Sequence, residues 1–398
     1  MQNSLEPKGD ILTIIPSVPY WQENGTLVFD RKFYDGIMKY SEFWPGGIRC
    51  IMNLSLEALP DFGCIRTSSH DCPFDFIGLD KQDYLKEEYL KGTIIILAAA
   101  DSFSYKNLEP LRVSMGIKLV YIMEYILETR YQIVALEKVN ILRKLRRLLY
   151  VFNNERSRVK ALKSADGLQA NGTPAFSQYG MFTPNSLLYF DTRIKSADYI
   201  TEKFLDDRLN FLLTNHKLRL SFSGRLNKMK GADHLIKVAL GLRDKGIDFV
   251  FNIFGDGDLK GSMIESIKKY GLGDKVIMRG VLSFYDALLP EIKNNTDIFI
   301  CCHRQSDPSC TYLETLSCGI PILGYDNKAL AGILDLADVG WLVGMGEIDH
   351  MVSRIHFLNE NRLEIIKKSR NALLFSSEHS FEKTYKQRVN HLLKVIEQ

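Results

Sequence analysis

"LRLSFSGRLNKMKGADHLIKVALGLRDKG", residues 218–246, decides the architecture of the chain. Its first seven residues read as a strand that ends at Ser223-Gly224. From Ala232 onward apolar residues recur at helical spacing as far as Gly246, where a helix C-terminus is expected. Between the two runs stand Arg225, Lys230 and Gly231. A strand that enters a helix through a short loop is the half-unit of a parallel sheet. The same loop suits an anion, because Gly224 admits an oxyanion, the two cations neutralise it and the helix dipole adds to both. A lone Gly-Arg-Leu reads more simply as a solvated turn. The five-residue spacing of the cations, with glycine on either side, favours the anion.

The same rhythm extends outward. Strand patterns are found at 11–15, 93–100, 118–123, 248–255, 275–280 and 297–302, with helical patterns at 232–246 and 259–272 between the later ones. The expected fold class is α/β, with two doubly wound, Rossmann-like domains. A chain of 398 residues exceeds one ordinary core. The polar stretch 193–211 is the boundary candidate, dividing 1–212 from 213–380, with ligands expected in a cleft at the carboxyl ends of the strands.

Hydrophobic residues at 45% and charged residues at 25% match a globular protein. A net charge of +3 and the lack of an aromatic-plus-basic surface motif argue against a nucleic-acid partner. The seven cysteines form no CxxC pair, which points to reduced thiols and no zinc site. No run reaches the ~20 apolar residues of a membrane span, and residues 1–10 lack a leader pattern. A cytoplasmic protein is expected, with membrane contact confined to its surface.

Further candidate positions follow from local chemistry. Residues 251–263, FNIFGDGDLKGSM, read as a strand-to-helix turn rather than as a metal pair at Asp256 and Asp258. Residues 306–310, SDPSC, form a loop feeding a short helix at 311–319, whose first N–H groups suit an anion or a hydroxyl. Two readings stand for Glu314: acceptor of a vicinal diol, or an acid complementing the helix dipole. The pattern over 134–149 predicts a basic amphipathic helix carrying Arg143, Lys144, Arg146 and Arg147 beside leucines. It can rest on anionic lipid, or pack its leucines on the core with its charges in water.

Together, GRLNKMKG (224–231), FGDGDL (254–259), KVIMRGVLSFYDALLPEIKNNTDIFICC (275–302), YLETLSCGIPILGYDN (312–327) and VGWLV (339–343) resemble the retaining GT-B glycosyltransferases of the group 1 type, family 4. The resemblance covers the chain from about Leu218 to the end. It implies two facing Rossmann-like domains, with the terminal helix at 380–398 crossing back, so that residues 381–398 join the first domain. It implies transfer of a sugar from a UDP- or GDP-linked donor to a glycan or lipid-linked acceptor with retention, without a metal or other cofactor, in cell-envelope polysaccharide or glycolipid synthesis. Arg225 and Lys230, beside Gly224, are then the diphosphate ligands. Glu314 holds the ribose, main-chain groups near Met278 receive the base, and Ser309, Cys310 and Thr311 offer backbone to the diphosphate.

The sequence departs from the family pattern in places. Ser306 stands where the first of two paired glutamates contacts the donor sugar, with Asp307 beside it as the substitute carboxylate. The Gly-rich turn after the first strand is reduced to Asn24-Gly25. Glu124 occupies the place of a histidine that touches the transferred sugar. A carboxylate there can orient the acceptor hydroxyl or stabilise charge at the anomeric carbon, or simply bond within its loop. His70 and His303 read as structural imidazoles. A GT-B nucleotide-sugar epimerase and a non-catalytic donor-binding subunit are the alternatives.

Overall fold

The computed structural model describes residues 10–59, 63–68, 71–80, 85–100, 108–136 and 139–398; His70 lies outside them. The chain divides into two compact units. The first comprises Met1–Leu127, Asn140–Tyr189 and Glu382–Gln398, and the second Glu128–Val139 and Phe190–Phe381. The boundary thus falls at residue 190 rather than 212. The helix Glu202–Thr214 accounts for the difference, because its Leu205 and Leu209 pack with Ile366 and Leu373 of the helix Arg362–Ser377.

The second unit is built on a six-stranded parallel sheet. Its order is Val276–Gly280, Phe249–Phe254, Leu218–Ser223, Ile298–Cys301, Ile322–Tyr325 and Gly340–Val343. Phe222, Phe251, Ile253 and Ile300 are fully buried in one core cluster, and on the other face the strands also bury the polar Arg219, Ser221 and Asn252. From Leu218–Ser223 the chain winds first to one side of the sheet and then, after Val276–Gly280, to the other. The order therefore reverses between Leu218–Ser223 and Ile298–Cys301, and a crevice opens at the carboxyl ends of those two strands.

The first unit carries a seven-stranded parallel sheet in the order Ser186–Tyr189, Gly167–Asn171, Lys118–Met123, Thr93–Ala99, Ile11–Ile15, Ile48–Asn53 and Asp75–Leu79. Beside it lies a three-stranded antiparallel sheet of Trp21–Glu23, Thr26–Asp30 and Cys64–Thr67. Asn24 and Gly25, at φ 49° and 80°, form the two-residue turn of its hairpin. Gly25 is thus the tip of a hairpin between Trp21–Glu23 and Thr26–Asp30 rather than a turn directly after the first strand.

The helix Phe381–Ile396 joins the first unit from Glu382. Buried Arg388 donates from Nε to Gln169 Oε1 at 2.8 Å, and Gln169 Nε2 returns a bond to the Arg388 carbonyl at 3.0 Å. The polar side chain of a central strand is thereby satisfied within the interior.

The basic helix differs from its expected span. One helix covers Leu127–Leu136 and a second Ile141–Ser164, the latter begun by Asn140, whose side chain accepts from the Arg143 amide at 2.8 Å. Its buried residues begin only at Glu155, so the preceding turns are not packed on the core. Leu142, Leu145 and Leu149 are 69%, 51% and 62% exposed.

Candidate functional site

Two loops flank the crevice of the second unit. The first, 224–231, leaves Leu218–Ser223; the second, 302–309, leaves Ile298–Cys301. Gly231 lets them approach. It sits at φ 66°, and a Cβ there would lie 2.0 Å from the Cys302 carbonyl oxygen. The Arg304 amide donates to the Met229 carbonyl at 2.9 Å, and its guanidinium holds both oxygens of Asp233 at 2.9 and 2.8 Å.

The two expected anion ligands sit differently. Lys230 is buried, and its Nζ lies 3.0 Å from Asp307 Oδ2 across the loops. Arg225 is exposed, and its guanidinium makes no hydrogen bond or ion pair to any described residue. An exposed unpaired guanidinium beside a lysine is a ready anion contact.

In the second loop Ser306 is buried, and its Oγ accepts from the Lys328 amide at 3.2 Å, at the start of the helix Lys328–Leu336. The hydroxyl oxygen thus meets the start of the next helix, while the Asp307 carboxylate faces Lys230. His303 Nε2, Gln305 Oε1 and Asp307 Oδ1 are buried without a protein hydrogen-bond partner. Burial, reinforced by nearby Lys230, pushes the His303 imidazole well below its usual pKa, so it is neutral.

The helix Cys310–Leu316 follows, with Ser309 at its N-cap making no side-chain capping bond and Cys310 and Thr311 in its first turn. On this helix Glu314 presents Oε1 to Arg193 Nε at 2.7 Å. The Arg193 guanidinium carbon stands 3.5 Å from the centroid of Phe284, and the Tyr285 hydroxyl donates to the Arg193 carbonyl at 2.8 Å. Arg193 lies in the stretch read as a boundary, and no local pattern marks it. Met278 is a half-buried strand residue packed on the core. Asp256 closes its turn by accepting from the Gly257 amide and pairs with Lys260 at 2.7 Å.

In the first unit Glu124 follows the strand Lys118–Met123, and its Oε1 accepts from Asn171 Nδ2 at 3.4 Å. The carboxylate stands at the carboxyl end of the sheet, where parallel-sheet proteins present chemistry. Among the described residues no group of three or more His, Cys, Asp or Glu side chains is placed to hold a metal ion, and no helix is long and apolar enough to cross a membrane.

Comparison with known proteins gives this geometry a context. Residues 207–373 match the family model "Glycosyl transferases group 1". Two curated relatives from Streptomyces kanamyceticus share part of the chain. The 2-deoxystreptamine glucosyltransferase is 22% identical over 136 residues, 34% of this chain and 35% of its own. The alpha-D-kanosaminyltransferase is 24% identical over 153 residues, 38% and 37% respectively. The chain therefore matches little more than a third of either relative's length. Solved structures align over nearly the whole chain. The lipopolysaccharide outer core galactosyltransferase WaaB has a TM-score of 0.65 at 14% identity, covering 96% of this chain and 99% of its own. HepE of Anabaena, solved in complex with UDP, has 0.64 at 14%, covering 97% and 99%. At such identities the likeness is one of fold. This chain has the GT-B fold of those glycosyltransferases, and its second unit carries the group 1 glycosyl transferase pattern.

Proposed function

We propose that this protein is a glycosyltransferase that moves a sugar from a nucleoside-diphosphate donor to an acceptor hydroxyl with retention of anomeric configuration. The observation that carries it is the meeting of Lys230 and Asp307 at 3.0 Å where the sheet order reverses, with unpaired Arg225 on the same loop. A departing diphosphate needs its growing charge neutralised. Arg225, Lys230 and the backbone opening at Ser309–Thr311 supply that neutralisation from protein groups, which lowers the barrier as charge accumulates on the leaving oxygen. Glu314 accepts the ribose hydroxyls, and Asp307 takes the sugar contact that Ser306 does not make. Glu124 receives the acceptor side of the reaction. The UDP in the HepE structure supports a nucleotide donor.

The acceptor is a glycan or a lipid-linked glycan, and the first turns of Ile141–Ser164 support work at an anionic membrane surface. At 100° per residue Ile141, Leu145, Leu148, Leu149 and Phe152 fall within an arc of about 100°. Arg143, Lys144, Arg146 and Arg147 lie outside that arc. Exposed leucines bordered by cations fit a lipid interface better than bulk water.

The test is a thermal-shift screen of UDP- and GDP-sugars followed by product analysis. A donor that raises the melting temperature and yields a new glycoside supports the proposal. An isomerised sugar from donor alone would identify an epimerase. Binding with neither transfer nor slow donor hydrolysis would identify a non-catalytic subunit.

A further inference from the structure

Glu314 is held in a way that its expected role does not require. Its side chain is 11% exposed and its Oε1 is taken by Arg193, whereas its Oε2 has no protein hydrogen-bond partner among the described residues. Arg193 is itself fixed at three points. Its guanidinium lies on the face of Phe284, its Nε grips Glu314, and its carbonyl accepts from Tyr285. Phe284 and Tyr285 belong to the short helical turn Phe284–Leu288, which follows the strand Val276–Gly280. Arg193 therefore ties the segment after that strand to the carboxylate on the helix Cys310–Leu316.

We infer that Arg193 is a positioning residue that sets the ribose selectivity of the nucleotide site, by holding the Glu314 carboxylate in one orientation with Oε2 and the outer lone pair of Oε1 directed to a vicinal diol. This rests on the nucleotide-sugar reading above. A carboxylate offers about four acceptor sites, so one bond from Arg193 leaves room for both ribose hydroxyls. A lone glutamate on a short helix would rotate and hydrate, losing part of each bond to the cost of ordering. The guanidinium removes that freedom in advance, and its planar fork loses little further entropy itself. Its stack on Phe284 and the Tyr285 bond hold it in place, so a bound nucleotide adds to the arrangement rather than displacing it. A diol lacking its 2′-hydroxyl leaves one of the aligned lone pairs without a donor.

The experiment is calorimetric titration of UDP and GDP, each against its 2′-deoxy counterpart, into the full chain and into Arg193→Ala, Arg193→Lys and Glu314→Gln. For the unaltered protein the ribonucleotide is expected to bind about tenfold or more tightly than the deoxy form. In Arg193→Ala the ribonucleotide weakens by about tenfold while the deoxy form changes little, so the ratio collapses. Arg193→Lys recovers part of the affinity, and adding Arg193→Ala to Glu314→Gln has little further effect. A ratio unchanged within twofold in Arg193→Ala overturns the inference, and so does tighter ribonucleotide binding, which would make Arg193 a competitor for Glu314. Failure of both UDP and GDP to bind the unaltered protein removes the nucleotide reading itself, and this inference with it.

Discussion

Lys230 Nζ and Asp307 Oδ2 stand 3.0 Å apart, on loops from adjacent strands, with both side chains largely buried. In the proposed reaction the pair supplies a cation for the diphosphate and a carboxylate for the sugar. It also means that neither charge can be removed without a cost to the other.

Lys230→Ala and Arg225→Ala are therefore expected to differ in one respect and agree in another. Both weaken nucleoside-diphosphate binding strongly. Lys230→Ala also strands Asp307 in a largely buried site and lowers stability by about 1–3 kcal/mol, whereas Arg225→Ala, at an exposed and unpaired position, changes it by less than about 0.5 kcal/mol. Melting curves and calorimetry on both variants check this. Unchanged affinity in both would remove the diphosphate assignment.

Ser306 and Asp307 are separable by the same logic. Ser306→Ala loses a bond at the start of the next helix and is expected to cost about 1 kcal/mol of stability while retaining transfer. Asp307→Asn is expected to cut turnover by about a hundredfold or more, with a smaller change in stability. Steady-state kinetics would reverse the assignment if Ser306→Ala were the inactive one.

The first unit should weaken in acid through His391. Burial, aided by Lys394 and Arg388 and opposed by the Asn185 backbone, pulls its pKa down from 6.5 to about 4. Its Nε2 is buried without a partner. The neutral ring is the folded form, so the unfolded chain binds the extra proton first. The stabilisation is complete above about pH 6.5 and is lost as pH falls toward 4, by roughly 3 kcal/mol in all. Urea denaturation at several pH values should show that slope, and His391→Gln should flatten it.

Membrane contact has its own readout. Vesicles containing phosphatidylglycerol are expected to sediment the protein, and phosphatidylcholine vesicles are not. Leu142→Gln with Leu145→Gln and Leu149→Gln should release it without loss of fold, because these side chains are already exposed. Equal sedimentation of the triple variant would assign the exposed leucines to another partner.

Much of the second unit is legible in the sequence because its chemistry is local. Its strands are short and rich in apolar residues, and its loops carry their glycines and cations in place. The first unit yields less. Gln169 lies in a fully buried strand, GLQAN, whose polarity makes sense only through Arg388, which is 219 residues away. The helical period runs on past Leu136, so residues 134–149 read as one helix, yet Asn140 starts a new one. Three positions after Asn140, Arg143 supplies the amide it caps, and that spacing was the available signal. Nothing local could show that the Ser306 hydroxyl meets the Lys328 amide, or that Arg193 reaches Glu314 from 121 residues away.

The exchange between Gln169 and Arg388 also governs how the molecule can be dissected. The backbone passes between the units at residues 127, 139, 189 and 381, so no single proteolytic nick yields two self-sufficient fragments. A stop codon after residue 380 would spare most of the second unit and injure the first, leaving Gln169 buried and unanswered in its strand.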